Sequence, residues 1–296
     1  MIFKSNSNRV STMNLLDGKK VREVHKVQLI EYIKNSKDLP TLAIIQVGDD
    51  PSSSLYIEQK KKFGQSIGVR VLHTKLPGGV SFEDLQKIIQ TLNADKKIHG
   101  IIVQLPLPKD LDPQKVIDSI SPNKDVDGLT SSNIEKLEKG FVPATARGIL
   151  TLLREYGLEV KGKKVTIIGR SKLVGAPTAR LMEREGARVT VCHRQTVDIP
   201  SETRSADIII VAAGYPNLLT KDYVKEGQVV VDVGINTLSG QSLNEEIPSK
   251  KVVGDVDFEA VSKIVEYLSP VPGGVGPMTV LSLFENLIDA HKMCNN

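Results

Sequence analysis

The sequence predicts an α/β protein of two α/β domains, the second a Rossmann-like, doubly wound parallel sheet. Short apolar runs rich in β-branched residues alternate with helical spacing in both halves, which is typical of parallel sheets covered by helices. A length of 296 residues suits about two domains. Residues 163–177 show a strand, a glycine turn and then a helix, an order that presents backbone N–H groups to a phosphate.

The N-terminal half begins the alternation. Residues 14–35 have near-helical apolar spacing and predict a helix. Strands are predicted where apolar runs stop at turn-forming residues, namely in Thr41–Val47, Arg70–Leu76 and 98–104. The helices between these strands start at capping residues, Asp50 in the first case and Ser81 in the second. Residues 111–140 add a helix, a glycine turn and a second helix.

The C-terminal half continues the pattern around its glycine turn. Four strands are predicted, in 165–168, 188–193, 206–214 and 228–235. The helix that follows the first of them opens at Gly175. Because apolar strands again alternate with helices, this half is predicted to form the doubly wound sheet.

The boundary between the halves is placed near residue 145. The chain is predicted to cross there in 141–148 and to enter a linking helix in 149–156. The final helix, 279–291, is expected to pack back on the first domain. The predicted domains are therefore residues 1–145 with about 280–296, and residues 146–279.

Composition excludes several classes of protein. Net charge is +4 with dispersed basic residues, which disfavours nucleic-acid binding. No apolar run reaches the ~18 residues needed to span a membrane. Cys192 lies in an apolar strand, which fits the reducing cytoplasm, while Lys4 and Arg9 in an acid-free N-terminus leave a mitochondrial location as the alternative. The five histidines are scattered, so no metal site is predicted.

Tyr56 and Lys60 are the first candidates for chemistry. They are four residues apart on a predicted helix and therefore share one face. A tyrosine that shields a lysine from water lowers the lysine pKa and allows it to act as a base. The simpler interpretation is a solvated basic face, which we accept for Lys61 and Lys62.

Further candidates lie in loops. Gln104 ends a parallel strand, where α/β sheets bind ligands, although an amide there often only satisfies backbone groups. Asp127 lies in a glycine turn and would otherwise be called a turn residue. Residues 270–279 hold prolines and glycines that suit a rigid backbone close to a ligand, with a simple loop as the alternative.

Cofactor choice is indicated by the second strand of the glycine-turn domain. An acid after that strand holds the ribose hydroxyl of NAD, whereas a basic residue suits the 2′-phosphate of NADP. Here the strand ends at His193 and Arg194, and the next acid is Asp198. Together with Arg170 in the glycine turn, this favours NADP.

The chain resembles the bifunctional methylenetetrahydrofolate dehydrogenase/methenyltetrahydrofolate cyclohydrolase family from about residue 15 to its end. The motifs that carry the resemblance are Y-I-E-Q-K-K-K at 56–62, V-Q-L-P-L-P at 103–108, K-D-V-D-G at 124–128, G-R-S-K-L-V-G-A-P at 169–177, D-V-G-I-N at 232–236 and P-V-P-G-G-V-G-P-M-T at 270–279. Chance agreement at all six is implausible.

The resemblance implies a homodimer whose subunits each have a cleft between two domains. It implies a cytoplasmic, multifunctional oxidoreductase and hydrolase of one-carbon metabolism that serves purine biosynthesis. The enzyme would oxidise 5,10-methylenetetrahydrofolate with NADP and hydrolyse the methenyl product to 10-formyltetrahydrofolate. The alternatives are a monofunctional NAD-dependent dehydrogenase and a non-catalytic dinucleotide-sensing protein.

The resemblance also implies roles for individual residues. The implied catalytic residues are Lys60, Tyr56, Gln104 and Asp127. The implied folate contacts are these four with Leu105, Pro272, Gly273 and Gly276. The implied NADP contacts are Thr145, Gly169, Arg170, Ser171, Val174, His193, Arg194, Ala213, Gly214, Ile235 and Thr279.

Two departures from the family pattern stand out. The family usually has a P-C-T-P-x-G sequence at the domain crossing, and this chain has alanines at Ala144 and Ala146 and a charge at Arg147. Loss of the second proline is expected to loosen the crossing. A serine is common where this chain has Arg194, and some NAD-preferring members use arginines to hold phosphate, so NAD stays an alternative cofactor.

Overall fold

The computed structural model describes residues 13–137, 140–239 and 250–295. They divide into two compact units. A six-stranded unit contains the described residues up to Arg22 and Thr145–Thr279, and a three-stranded unit contains Glu23–Ala144 and the described residues from Val280 onward. Residues 13–22 thus group with the second half of the chain, whereas they were predicted to belong to the first domain, residues 1–145. Within the described ranges, no helix is long and apolar enough to cross a membrane.

The three-stranded unit is a parallel sheet with helices. Its strands are β2 (Thr41–Val47), β3 (Arg70–Leu76) and β4 (Gly100–Val103), in the order β3-β2-β4. Its helices include α2 (Pro51–Ile67), α3 (Phe82–Ala94), α4 (Pro113–Ile117) and α5 (Ser131–Glu135), while α1 (Gly18–Lys34) leads into the unit. β2 is buried along its whole length, as expected for a central strand.

The predicted helix starts in this unit are confirmed. The Asp50 side chain accepts a hydrogen bond from the backbone N–H of Ser53 at 2.7 Å, and Pro51 occupies the first turn of α2. Ser81 caps α3 by accepting from the N–H of Asp84. Local sequence is sufficient at these sites because the capping bonds join residues three positions apart.

The six-stranded unit contains the doubly wound sheet. Its sheet strands are β1 (Asn14–Leu15), β5 (Lys164–Ile168), β6 (Arg188–Cys192), β7 (Ile208–Val211), β8 (Val229–Asp232) and β11 (Tyr267–Leu268), in the order β1-β11-β8-β7-β5-β6. Its helices are α6 (Ala144–Glu155), α7 (Gly175–Arg184), α8 (Ile199–Ser205), α9 (Phe258–Val261) and a 3₁₀ turn at Lys221–Tyr223, and β9 (Asn236–Ser239) pairs antiparallel with β10 (Lys250–Val253). All pairings within the large sheet are parallel, so the Rossmann-like prediction is confirmed.

Two expectations about connections are wrong. The crossing predicted in 141–148 is largely helical, because α6 already begins at Ala144. Alanine has the highest helix propensity, which suits Ala144 and Ala146 to that first turn. The last helix, α10 (Val275–Asn295), likewise begins inside the segment expected to be a rigid loop. Pro277 is tolerated there because N–H groups in a first turn have no partner within the helix.

The C-terminal half of α10 packs on the three-stranded unit, as expected from the sequence. The ring of Phe284 lies 5.3 Å from that of Phe63 on α2. The side-chain amide of Asn286 donates to the carbonyls of Val126 and Val142, both at 2.9 Å. These contacts join the end of the chain to elements far away in sequence. The functional assignment of the two domains stays a prediction.

Candidate active site

A buried lysine lies at the carboxyl edge of the three-stranded sheet. Lys60, on α2, is only 8% exposed, and its Nζ donates to Oε1 of Gln104 at 3.0 Å. Gln104 directly follows β4, and its Nε2 donates to the carbonyl of Leu105 at 2.8 Å. Since the amide N–H₂ group is used by Leu105, the amide oxygen must face Lys60. The structure therefore brings together Lys60 and Gln104, which lie far apart in sequence.

Burial controls the charge of Lys60. It lowers the pKa of the Lys60 ammonium below the ordinary lysine value, and the charge of Asp127 opposes this shift. Lys61 and Lys62, the next residues in the chain, are not among the causes of this shift. Lys61 instead forms an ion pair with Glu58 at 2.6 Å. The lowered pKa makes the neutral amine of Lys60 more accessible than that of an exposed lysine.

Asp127 is placed at the same edge by a short parallel pairing. The N–H of Ile101 in β4 donates to the carbonyl of Lys124 at 2.7 Å, and Ile101 forms a parallel bridge with Asp125. The chain therefore runs beside β4 and reaches half-buried Asp127 just past the bridge. Gly128 then turns the chain with φ of 73°, where a Cβ would lie 2.7 Å from the nitrogen of Pro143. Asp127 and Gln104 thus follow neighbouring parallel segments.

Asp125 is a residue that the sequence analysis missed. Its buried carboxylate accepts from the N–H groups of Gly128 at 3.0 Å and Thr130 at 2.7 Å, and from the amide of Asn133 at 2.9 Å. Burial raises the pKa of Asp125, and the hydrogen bonds from Thr130 and Asn133 oppose the rise. Asp125 thereby fixes the turn that carries Asp127. The signal was the pair of acids two residues apart in K-D-V-D-G.

Tyr56 lies one helical turn before Lys60 on α2 and is half-buried. Burial raises the pKa of its phenol, so the hydroxyl stays neutral. The first turn of α2 is tied to the loop after β4, because the hydroxyl of Ser53 donates to the carbonyl of Leu105 at 3.2 Å. Helix and loop are therefore fixed to one another close to the lysine.

The glycine turn of the six-stranded unit lies at the carboxyl end of β5. Gly169 has φ of 117°, and a Cβ there would lie 2.1 Å from the carbonyl oxygen of Ala212. A Cβ on Gly175 would lie 2.2 Å from the carbonyl oxygen of Gly169. Both positions therefore require glycine, and the exposed side chains of Arg170 and Ser171 project from the turn between them.

The start of α7 differs from the expected phosphate site. The N–H groups of Val174 and Gly175 donate to Oγ of Ser171 at 3.2 and 3.3 Å, and that of Ala176 donates to the Ser171 carbonyl at 3.0 Å. Ser171 thus takes up the donors that the sequence analysis assigned to a phosphate. An anion at this turn would meet the side chain of Arg170 and the outer backbone of the turn.

The end of β6 is held by a local turn. The N–H of His193 donates to Oγ1 of Thr196 at 3.0 Å, and Nδ1 of His193 accepts from the N–H of Gln195 at 3.2 Å. Arg194 at the tip is exposed. Asp198 caps α8 by accepting from the N–H of Ser201 at 2.9 Å. The nearest acid after this strand is therefore engaged in capping.

The ends of β7 and β8 carry three more predicted positions. Ala213 and Gly214 are exposed in the turn after β7, and their N–H groups donate to the buried carboxylate of Asp255 at 2.7 and 2.8 Å. Ile235 follows β8 and is 49% exposed, whereas isoleucine is among the residue types most often buried. These residues lie at the carboxyl edge of the sheet, where such folds bind ligands.

The remaining predicted positions belong to the six-stranded unit and not to the unit of Lys60. Pro272 and Gly273 precede α10, and the carbonyl of Gly273 accepts from the N–H of Lys19 at 3.2 Å. Gly276 lies in the first turn of α10. The hydroxyls of Thr145 and Thr279 are 3.4 Å apart.

One group of possible metal ligands is present in the described ranges. Nε2 of His99 lies 3.9 Å and Nε2 of His291 lies 3.3 Å from the carboxylate of Asp38. The expectation that the histidines are scattered is wrong for this pair. Nδ1 of His99, however, accepts from the N–H of Thr41 at 3.1 Å, so in the neutral ring Nε2 carries the proton and has no lone pair for a metal. The group fits hydrogen bonding better than metal binding.

Two family models and many known proteins match this chain. The sequence-family model for the tetrahydrofolate dehydrogenase/cyclohydrolase catalytic domain matches residues 16–127. The sequence-family model for the NAD(P)-binding domain of the same family matches residues 143–295. The bifunctional protein FolD of Aquifex aeolicus (strain VF5) is 46% identical over 286 residues, covering 94% of this chain and 95% of the relative.

Solved structures give the same result. The bifunctional FolD methylenetetrahydrofolate dehydrogenase/cyclohydrolase of Campylobacter jejuni is 45% identical with a TM-score of 0.90, covering 95% of this chain and 99% of that one. The Trypanosoma brucei FolD, solved with NADP cofactor and an inhibitor, is 35% identical with a TM-score of 0.89, covering 95% and 98%. By sequence and by structure, the chain belongs to the tetrahydrofolate dehydrogenase/cyclohydrolase family.

Proposed function

We propose that this protein is a bifunctional one-carbon folate enzyme. It oxidises 5,10-methylenetetrahydrofolate to the 5,10-methenyl form with NADP⁺ and hydrolyses that product to 10-formyltetrahydrofolate. The observation that carries the proposal is the buried pair of Lys60 and Gln104, with Asp127 close enough to influence the lysine charge. A dehydrogenase alone would have no need of a buried base at this position.

The first step removes a hydride from the methylene bridge and leaves a methenyl cation. NADP⁺, when bound, supplies the hydride acceptor. The contribution of the protein is positioning, with Tyr56 shielding the folate and Asp127 accepting from N–H donors on the pterin edge. Leu105, Pro272, Gly273 and Gly276 are the further folate contacts in this proposal.

In the second step, water adds to the electrophilic methenyl carbon. Neutral Lys60 takes one proton from the attacking water to leave a hydroxyl adduct, and its ammonium returns that proton to N5 as the carbon–N5 bond breaks. The adduct hydroxyl loses the other proton as the formyl carbonyl forms. Gln104 holds the amine through its oxygen, and this geometry leaves the nitrogen lone pair free to point elsewhere. The product is 10-formyltetrahydrofolate, and one proton is released overall.

The residues of the six-stranded unit fit a dinucleotide. Gly169 and Gly175 let the turn pack directly against backbone carbonyls, which gives the tight strand-to-helix turn that dinucleotide-binding folds place beside a pyrophosphate. Arg170 and Arg194 suit a 2′-phosphate, and Asp198 is occupied as a helix cap. Ser171, Val174, His193, Ala213, Gly214, Ile235, Thr145 and Thr279 complete the proposed NADP contacts.

The proposal extends to a cytoplasmic homodimer whose product serves purine biosynthesis. Family resemblance supports this proposal. The dimer alone is also supported by β6, which forms one edge of the described sheet. Val191 on β6 is 36% exposed, and Val197 just beyond it is fully exposed. Apolar side chains at a sheet edge suit pairing with a second copy of the chain.

One spectrophotometric assay tests both activities. Methylenetetrahydrofolate is supplied with NADP⁺ or NAD⁺, methenyl absorbance is followed, and purified methenyltetrahydrofolate is then supplied alone. We expect faster methenyl formation with NADP⁺ and enzyme-dependent decay of the methenyl form. Formation without catalysed decay would favour the monofunctional dehydrogenase, and neither activity would favour a dinucleotide-sensing protein.

A further inference from the structure

A second carboxylate network lies beneath the proposed NADP site. Asp255 is completely buried, whereas Ala213 and Gly214 above it are exposed. One oxygen of Asp255 accepts from the N–H groups of Ala213 at 2.7 Å and Gly214 at 2.8 Å. The other accepts from the side-chain amide of Asn236 at 2.8 Å. A single side chain therefore links the turn after β7 to the start of β9.

Asp255 is itself fixed by Asp232 at the end of β8. Oδ1 of Asp232 accepts from the N–H groups of Asp255 at 3.0 Å and Gly234 at 2.9 Å, and Oδ2 accepts from the N–H of Val256 at 3.0 Å. The carbonyl of Asp255 also accepts from the N–H of Leu219 at 3.0 Å. The backbone of Asp255 is thus held at both its N–H and its carbonyl.

Glycines reserve the space for these acids. A Cβ on Gly234 would lie 2.2 Å from Oδ1 of Asp255, and a Cβ on Gly254 would lie 1.8 Å from Oδ2 of Asp232. A buried carboxylate is costly unless hydrogen-bonded, and here backbone N–H groups provide the bonds. Such an arrangement at the carboxyl ends of β7 and β8 lies where open α/β sheets bind ligands.

We propose that Asp255 is a positioning residue for NADP binding. It accepts from the inward N–H groups of Ala213 and Gly214, and so orients the outward surface of that turn toward the dinucleotide. Through Asn236 it fixes the backbone next to Ile235, so two proposed cofactor contacts depend on one carboxylate. This inference rests on the proposed function, because it takes the turn and Ile235 to be NADP contacts.

The test uses variants that remove, keep or exchange the donor and acceptor roles of Asp255 and Asn236. Asp255→Ala removes all three acceptor bonds, and we expect the KM for NADP⁺ to rise about tenfold or more with a smaller change in kcat. Asp255→Asn keeps an acceptor oxygen for the turn, and we expect most of the affinity to be retained. Asn236→Asp sets two carboxylates against each other, and we expect the KM for NADP⁺ to rise again.

The double variant Asn236→Asp with Asp255→Asn is decisive. It exchanges donor and acceptor but keeps every bond, so the KM for NADP⁺ should return close to the wild-type value. Methenyl hydrolysis, which needs no NADP⁺, is the internal control and should stay unchanged in all variants. A purely structural role would lower both activities together.

The outcomes separate cleanly. An unchanged KM in Asp255→Ala, or no recovery in the double variant, overturns the positioning role while wild-type activity leaves the proposed function intact. If wild-type protein shows no NADP⁺-dependent oxidation, the proposed function fails and this inference fails with it. If Asp255→Ala does not fold, the comparison of Asn236→Asp with the double variant still decides.

Discussion

The chemistry of Lys60 is set by its surroundings in space and not by its sequence neighbours. Lys61 and Lys62 follow it in the chain, yet Lys61 pairs with Glu58 and burial accounts for the lowered pKa of Lys60. Gln104, which lies in a different element, provides the hydrogen-bond acceptor. A residue of the same type at the next position therefore has a different environment.

Lys60→Met should separate the two activities. Methionine keeps the length and apolar stem but removes the base, so methenyl hydrolysis should fall by at least about 100-fold. Dehydrogenation needs no such proton transfer and should fall less. Lys62→Met, at an exposed position, is the matched control and should change neither rate. A parallel loss of both activities with folate still bound would make Lys60 a positioning residue.

Arg194 should determine cofactor preference. Arg194→Ser removes a cation from the proposed 2′-phosphate site, and we expect NADP⁺ binding to weaken roughly ten- to a hundredfold while NAD⁺ binding changes little. Titration calorimetry with each dinucleotide gives the ratio. Lys172→Ser removes an exposed cation from the glycine turn and serves as the control. Equal losses for both dinucleotides would contradict the assignment.

Asp232 should give the six-stranded unit a distinctive pH dependence. Burial is the largest cause that raises the pKa of Asp232 from 3.8 to about 6. A raised carboxyl pKa means that the folded state holds the proton more tightly, so its contribution to stability is present at low pH and is lost as pH rises through about 6. The shift of about two pKa units corresponds to about 3 kcal/mol.

The measurement compares wild type with Asp232→Asn in urea titrations from pH 4 to 7. Asparagine does not titrate, so the wild type should lose unfolding free energy relative to the variant as pH increases. The constant offset caused by the altered hydrogen bonds does not affect this trend. The difference in unfolding free energy between wild type and variant could instead stay constant from pH 4 to 7 or shift in favour of the wild type. Either result would show that the folded protein does not raise the pKa of Asp232.

At the scale of elements, the C-terminal half of α10 packs on elements that are far from it in sequence. Phe284 is fully buried against Phe63, and a Cβ on Gly64 would lie 3.0 Å from the Phe284 ring. Asn286 binds the carbonyl of Val126, one residue before Asp127. The end of the chain therefore supports both α2, which carries Lys60, and the turn that carries Asp127.

Phe284→Ala should accordingly destabilise the three-stranded unit by about 3–5 kcal/mol, the usual cost of removing a buried aromatic ring. Amide hydrogen exchange should increase in α2, which the ring contacts. Met293→Ala lies on the same helix at a position that is 61% exposed and should have little effect. Unchanged exchange in α2 would indicate that the helix contributes little to this unit.

At the scale of the whole molecule, the exposed edge of the large sheet bears on assembly. We expect the protein to sediment as a dimer and Val191→Lys to convert it to a monomer, because a charge on an edge strand opposes strand pairing. Val252→Lys, with similar exposure on β10, is the control and should leave the dimer intact. A monomeric wild type, or a dimer that survives Val191→Lys, would rule out assembly through this edge.

The sequence by itself determined the local features. Asp50 and Ser81 were predicted as helix caps, because capping joins groups within one turn. Three strands of the glycine-turn domain, β5, β7 and β8, were predicted because strands buried on both faces must be apolar along their length. The edge strand β6 is largely exposed and was predicted from its β-branched residues. Motif content also predicted the family, since six short segments recur in fixed order.

Only the tertiary structure decided which residues from distant segments contact one another. The pairing of Lys60 with Gln104, the support of the Asp127 turn by Asn286, and the link from Asp255 to Ala213 each join distant segments, and no local periodicity specifies such contacts. The short strands β1 and β11 form for the same reason, since each has only two residues and gains its order from its neighbours. Long-range burial, rather than propensity, fixes which groups lose water and therefore which acids and bases have altered chemistry.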